Sequence, residues 1–333
     1  MSQKTFLTED ETIHKSVHSY NQTHKTPRAI ILACQSIEEN IEDYNDFREY
    51  FAEENVAVYI YSYRNTIKTT SDYLRDYPKN TSDTTIVCDV MKLRTLISEK
   101  HGNTSVLLFG YSLGTIIALS TLLKYPQKFS GIALWNLDLC FEKYSCMLMT
   151  LLLKIEKFFK GSDTPSRLMR HLTTDLWNRN NQNWKNFLKD HSVKKNSQNY
   201  ILDSNHIPIS VWLEFMSMAT DISSRGSFNP LSRFIPFCLI GGGNVSSKIE
   251  DLTQTYKLTT RLQNEEFYDI SLMSLPPTMH SNDPHNVFPP PAIKKLRNWI
   301  VNSYLPKVYP SYLNIKNRFD ILKNKNINVL TPP

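Results

Sequence analysis

The sequence predicts an α/β fold: a mostly parallel, doubly wound sheet with an inserted helical cap. Three observations predict it. From Ala29 onward, apolar runs of strand length alternate with amphipathic helical segments. One of those runs passes through Gly110-Tyr111-Ser112-Leu113-Gly114 directly into a helical pattern. The alternation then lapses between about residues 137 and 230 and resumes at Phe234.

Taken in order, Ile13 to Tyr20 partly alternates and suggests an early half-exposed strand. Ala29-Ile30-Ile31-Leu32-Ala33-Cys34 is continuously apolar, as a central parallel strand requires. Asp43 to Glu54 is helical, with Phe47, Tyr50 and Phe51 on one face. Val56 to Tyr61 is a second buried strand. Thr85 to Lys100 is an amphipathic helix carrying Ile86, Val90, Leu93 and Ile97, and His101-Gly102-Asn103 stops it. The strand from Val106 and its helix end near Lys124-Tyr125-Pro126. Gly131 to Trp135 is a further strand. After the lapse come a strand at Phe234–Ile240, a helix from Lys248, a strand at Phe267–Met273 and a last helix near Ala292–Val301. Residues 1–136 and 231–303 therefore read as the core, 137–230 as the cap and 304–333 as a tail.

Composition suits a globule: 41% hydrophobic and 21% charged residues over 333 positions. The net charge of +6 is a mild excess with no block of like charges. It suits approach to an anionic membrane surface and gives no sign of nucleic-acid binding. No run has the ~20 apolar residues of a membrane span, and the first ten residues lack a signal-peptide core. Cys34, Cys88, Cys140, Cys146 and Cys238 are odd in number and irregular in spacing. They read as reduced thiols of a cytoplasmic protein, with no metal-ligand pattern and no cofactor motif. The cap region is rich in apolar residues, from Cys146-Met147-Leu148-Met149 through Phe158, Phe159, Trp212, Phe215 and Met216. Most of these read as the cap's own core, over a greasy site.

The pentapeptide at Ser112 carries chemistry because of its context. A sharp strand-to-helix turn forces the serine into a strained conformation and presents its hydroxyl. Gly110 and Gly114 flank it where side chains would collide. A serine nucleophile needs a base, an orienting acid and oxyanion donors. In the order serine, acid, histidine, the base falls on His280, with His285 reading as a solvated loop residue. The acid should follow the strand ending at Ile240, yet that loop, Gly241-Gly242-Gly243-Asn244-Val245, has no carboxylate at its tip. Asn244 holds the position, and Asp251 and Asp283 are the substitutes. Ser247-x-x-Glu250 reads as a capping box, which gives Glu250 and Asp251 a purely helical reason to exist. The oxyanion donors are the backbone N–H groups of Leu113 and Ile37.

These segments resemble the α/β-hydrolase serine hydrolases of the lysophospholipase (L2 type), monoacylglycerol lipase and serine aminopeptidase S33-like group. The likeness runs from about Ala29 to Trp299. It is carried by Cys34 to Tyr44 with Glu39 and Tyr44, by Leu74-Arg75-Asp76-Tyr77-Pro78, by the elbow with Lys124 to Gly131, and by Pro236 to Gly242 with His280. The sequence departs from the family pattern at Ser36, at Tyr63-Arg64-Asn65-Thr66, at Thr115 and at the acid. The resemblance implies a carboxylic-ester hydrolase with a small lipid-like ester substrate, a lysophospholipid or monoacylglycerol. Two other expectations stand beside it. A proline-iminopeptidase-like peptidase would want an acidic pocket for an amine, and the cap shows no clear acidic cluster. A weakened hydrolase fold kept as a binding module would explain the missing acid and altered glycines.

Overall fold

A computed structural model of the chain describes residues 4–6, 17–20, 26–36, 44–62, 85–137, 143–172, 207–242, 250–275, 288 and 290–308. Among the described residues, eight strands form one sheet: β1 (Lys4–Phe6), β2 (Val17–Tyr20), β3 (Ala29–Cys34), β4 (Val56–Tyr61), β5 (Val106–Tyr111), β6 (Gly131–Trp135), β7 (Phe237–Gly242) and β8 (Ile270–Leu275). Their spatial order is β1-β2-β4-β3-β5-β6-β7-β8. β1 and β2 pair antiparallel, and β2 runs antiparallel to β4. Every pairing from β4 through β3 and β5 to β8 is parallel. A parallel sheet needs both faces covered, because its crossovers bring helices to both.

The helices are α1 (Asn45–Ala52), α2 (Thr85–His101), α3 (Gly114–Lys124), α4 (Lys143–Lys160), α5 (Arg167–Arg170), α6 (Ile209–Ser223), α7 (Glu250–Asn264), α8 (Pro290–Trp299) and α9 (Leu305–Val308). Alternate side chains of β3, β4, β5, β6 and β7 feed two separate cores. Ile30, Leu32 and Cys34 of β3 pack with α2, α3, α6 and α7. Ala29, Ile31 and Ala33 pack with α1 and α8. α4 packs on α6, and α6 packs in turn on α3.

Local chemistry sets the ends. Gly102 takes φ +63° and its N–H donates to the Ser98 carbonyl at 2.7 Å, closing α2. The start of α2 is held from a distance. Oε1 of the buried Glu214, on α6, accepts the Ile86 N–H at 2.6 Å. α3 ends where the Tyr125 N–H donates to the Thr121 carbonyl and Pro126 begins a 3-10 turn. Tyr304 is buried, stacks on Trp299 and shares a hydrogen bond with Ser130.

Three expectations shift. β8 starts at Ile270, three residues later than predicted, because the Phe267 N–H turns back to the Leu262 carbonyl at 3.0 Å. β7 starts at Phe237, after Phe234 and Ile235 have gone into a turn. The edge strand β1 lies in sequence not read as a strand.

Candidate active site

The centre of interest is the junction of β5 and α3. Ser112 follows β5 with φ +50°, a left-handed conformation that costs an L-residue roughly 1–2 kcal/mol. The surrounding bonds over-determine it. Its N–H donates to the Trp135 carbonyl on β6 at 3.0 Å. Its carbonyl accepts the Thr115 N–H at 3.0 Å and the Thr115 hydroxyl at 2.5 Å. Ser112 is half-buried, while five of the six residues of β5 before it are buried.

The flanking glycines are forced by contact. A Cβ on Gly110 would lie 2.6 Å from both the Gly114 carbonyl oxygen and the Thr115 Cα. A Cβ on Gly114 would overlap the Cys34 carbonyl oxygen. The same contact shows that the end of β3 abuts the start of α3. Gln35 and Ser36, which open the loop toward Ile37, are therefore buried beside the elbow. Ser36 has no positive φ, so this backbone accommodates a serine where the family pattern has glycine. The departure at Thr115 adds an anchor for the elbow carbonyl.

Leu113 is the residue before α3, with φ −60° and ψ −26°. Its N–H stands at the positive end of a helix whose first six residues are all buried. That is the electrostatic setting an oxyanion needs.

The other predicted residues fare differently. Ile37, Asn244, His280, Asp283 and His285 lie outside the described residues. Asp251 lies in the first turn of α7. Phe288 is described, and it closes the stretch that carries His280 and His285. It is fully buried, with ring contacts to Tyr111 at 5.2 Å, Trp135 at 5.5 Å and Tyr44 at 4.9 Å. Phe288 therefore packs against the residue preceding Ser112.

One residue escaped the sequence reading. Asn136 follows β6 with φ +51° and is 3% exposed. Its N–H donates to the Ile240 carbonyl at 2.9 Å, while its side-chain amide has no hydrogen-bond partner among the described residues. It lies level with Ser112 across the β5–β6 register. Nothing in a lone Asn-Leu-Asp triplet marks it; only strand pairing brings it to this edge.

The thiol of Cys34, at the end of β3, is pushed far above its ordinary range by burial. It is no nucleophile in the native protein.

Residues 25–244 match the family model described as serine aminopeptidase, S33. The chain belongs to the serine aminopeptidase S33 family. Its fold is the α/β-hydrolase fold, which solved structures share at low identity. The S33 chain is similar to a thermostable carboxyl esterase from Bacillus coagulans, with TM-score 0.66, 14% identity, and 92% of this chain and 98% of that chain covered. It is similar to a soluble variant of monoglyceride lipase from Saccharomyces cerevisiae, with TM-score 0.55, 11% identity, and 92% and 96% covered. It is also similar to the monoacylglycerol lipase of Paleococcus ferrophilus, with TM-score 0.51, 17% identity, and 86% and 98% covered. A search of curated protein sequences returned no match.

Proposed function

We propose that this chain is a serine hydrolase that cleaves carboxylic esters of lipid-like substrates, lysophospholipids or monoacylglycerols, through an acyl-enzyme on Ser112. The observation that carries the proposal is the left-handed backbone of Ser112, held between two glycines that can bear no side chain. Strain of this kind persists only where surrounding structure over-determines it, and it concentrates at functional sites.

In this reading the Ser112 hydroxyl attacks the ester carbonyl as His280 takes its proton. The Leu113 and Ile37 N–H groups hold the oxyanion. His280 then gives the proton to the leaving alcohol. A water, deprotonated by the same imidazole, releases the acid and restores the serine. Burial of Phe288 against Tyr111 supports a base nearby in the sequence, because Phe288 itself packs against the residue before Ser112. Asn244 is the positional candidate for orienting the imidazole, with Asp251 and Asp283 as substitutes. Residues 137–230 form the cap over the acyl chain, residues 1–136 and 231–303 the hydrolase core, and 304–333 the tail.

The test is labelling with a fluorophosphonate probe, followed by turnover of lysophosphatidyl and monoacylglycerol esters. Ser112→Ala is expected to abolish labelling and lower kcat about 10⁴-fold or more. His280→Ala is expected to match it, and His285→Ala to leave the rate near that of the parent. Absent labelling of the parent overturns the nucleophile. Faster release of an N-terminal proline from peptides than of any ester overturns the substrate class.

A further inference from the structure

Among the described residues, four that are not glycine have positive φ: Asn55, Ser112, Asn136 and Glu266. Two of the four are neighbours. Ser112 follows β5 and Asn136 follows β6, and these strands pair in register with Tyr111 opposite Trp135. Paired strands lie ~4.8 Å apart. The Ser112 N–H donates to the Trp135 carbonyl at 3.0 Å, and the Asn136 N–H donates to the Ile240 carbonyl of β7 at 2.9 Å. Asn136 thus stands between the elbow and the end of β7. The order serine, acid, histidine calls for a carboxylate after β7, and the sequence puts none at the tip of that loop.

The fold gives no reason for the amide of Asn136. Asparagine is tolerated in the left-handed region because its short side chain can bond to nearby backbone. Asn55 shows the amide spent in that way, with Nδ2 donating to the Thr26 carbonyl at 3.0 Å. Asn136 has the same backbone, φ +51° against +55°, and is 3% exposed, yet neither its Oδ1 nor its Nδ2 has a partner among the described residues. Glycine would take this φ without steric cost and would bury no amide. A buried polar group left unpaired costs stability, and native structures pair nearly all of them. The amide is therefore kept for something other than packing.

We infer that Asn136 is a positioning residue for hydrolysis at Ser112: its carboxamide oxygen accepts the N–H of the imidazole base and fixes the ring toward the serine. The inference rests on the reading of Ser112 as nucleophile and His280 as base. An imidazole that takes the serine proton on one nitrogen presents the N–H of the other to an acceptor, and that bond sets its tautomer and orientation. The acceptor must be buried, must have an uncommitted oxygen and must stand at the sheet edge near the serine. Asn136 meets all three conditions. Asn244, chosen by order along the chain, is its rival for the role. An amide holds the ring without the charge that stabilises an imidazolium, so a carboxylate at position 136 is the better group for the rate.

The test follows hydrolysis of a p-nitrophenyl acyl ester, its pH profile, fluorophosphonate labelling and thermal unfolding across four variants. Asn136→Gly keeps the left-handed backbone, so it should melt at or above the parent temperature while kcat falls about tenfold or more with KM unchanged. Asn136→Asp should raise kcat about tenfold and move the rising limb of the kcat/KM profile to higher pH by about one unit, because an adjacent carboxylate favours the protonated ring. Asn55→Gly changes the same backbone conformation away from the elbow and should leave rate and profile unchanged. A labelled parent whose Asn136→Gly variant turns over at the parent rate overturns this inference alone, as does an Asn136→Asp profile that coincides with the parent's. Loss of rate in Asn244→Ala, with none in Asn136→Gly, gives the role to the loop after β7 instead. A parent that neither labels nor hydrolyses the ester overturns the reading at Ser112, and this inference with it.

Discussion

Replacing Gly110 by alanine tests the elbow where its geometry is tightest. The new Cβ would stand 2.6 Å from the Gly114 carbonyl oxygen and the Thr115 Cα, and 2.8 Å from the Gly114 carbonyl carbon. All three atoms are backbone, so no rotamer change relieves the clash. Ordinary contact begins near 3.4 Å, so β5 and the start of α3 must separate by ~0.8 Å. The helix has little room to retreat, because Gly114 already lies against the Cys34 carbonyl of β3. Overpacking costs typically 1–3 kcal/mol, and with backbone on both sides the upper end applies, ~3 kcal/mol. At ~2–4 °C per kcal/mol for a domain of this size class, Tm should fall by roughly 6–12 °C. The same separation moves the Ser112 hydroxyl, and a displacement near 1 Å can cost ~10² in rate. The assay is thermal unfolding of Gly110→Ala beside fluorophosphonate labelling of the folded protein. Gly102→Ala is the control. It also alters a glycine, at φ +63°, but its Cβ meets nothing within 4 Å, so only the conformational cost of ~1–2 kcal/mol applies. Labelling should not change. A Gly110→Ala protein that melts with the parent and labels at the parent rate refutes the reasoning.

Three further outcomes follow from the same structure. Ser112→Gly relieves the φ +50° strain and keeps both the Trp135 and Thr115 backbone bonds, so it should stabilise the chain by ~0.5–1 kcal/mol in urea unfolding while labelling is lost; a destabilised variant would show that the turn is relaxed. Glu214→Ala removes the acceptor at the Ile86 N–H and should cost ~1.5–3 kcal/mol by the same measurement, against a near-zero effect if α2 caps itself. His101, bonded to the Tyr59 hydroxyl at 2.7 Å, is held below its ordinary pKa first by burial and then by Lys100. Its neutral form is the native one, so the unfolded chain binds the extra proton. Stability is full above about pH 6.5 and declines as pH falls below it; urea midpoints across that range should show the slope, and His101→Gln should flatten it.

The elbow was legible because every feature that makes it is local. Two glycines two residues from a serine, an apolar run before and a helical pattern after are all within one short stretch. The central strands β3, β4, β5 and β6 were legible for a related reason: burial on both faces leaves a continuous apolar run. Other elements were less so. β8 has alternating exposure, and the aromatic pair Phe267 and Tyr268 before it looks like strand while serving a turn, with the Tyr268 N–H donated to Arg233. The apolar cap residues divided in a way that periodicity could not foresee. Trp212, Phe215 and Met216 are core, whereas Phe158 and Phe159 are exposed. A helix that is apolar on two faces gives no internal sign of which face another helix will take.

The amino-acid order by itself determined the class of the fold, the position of the kink between β5 and α3, and the serine at that kink, since these depend on the steric demands of neighbouring residues. Tertiary structure decided the rest. It set the strand order and brought the Cys34 carbonyl against Gly114. It placed Asn136 level with Ser112, drew Phe288 under Tyr111, and divided the apolar cap residues between buried Phe215 and exposed Phe158. Each of these joins residues tens or hundreds of positions apart. Such contacts depend on how whole layers pack, and packing is a property of three-dimensional neighbours that no local pattern encodes.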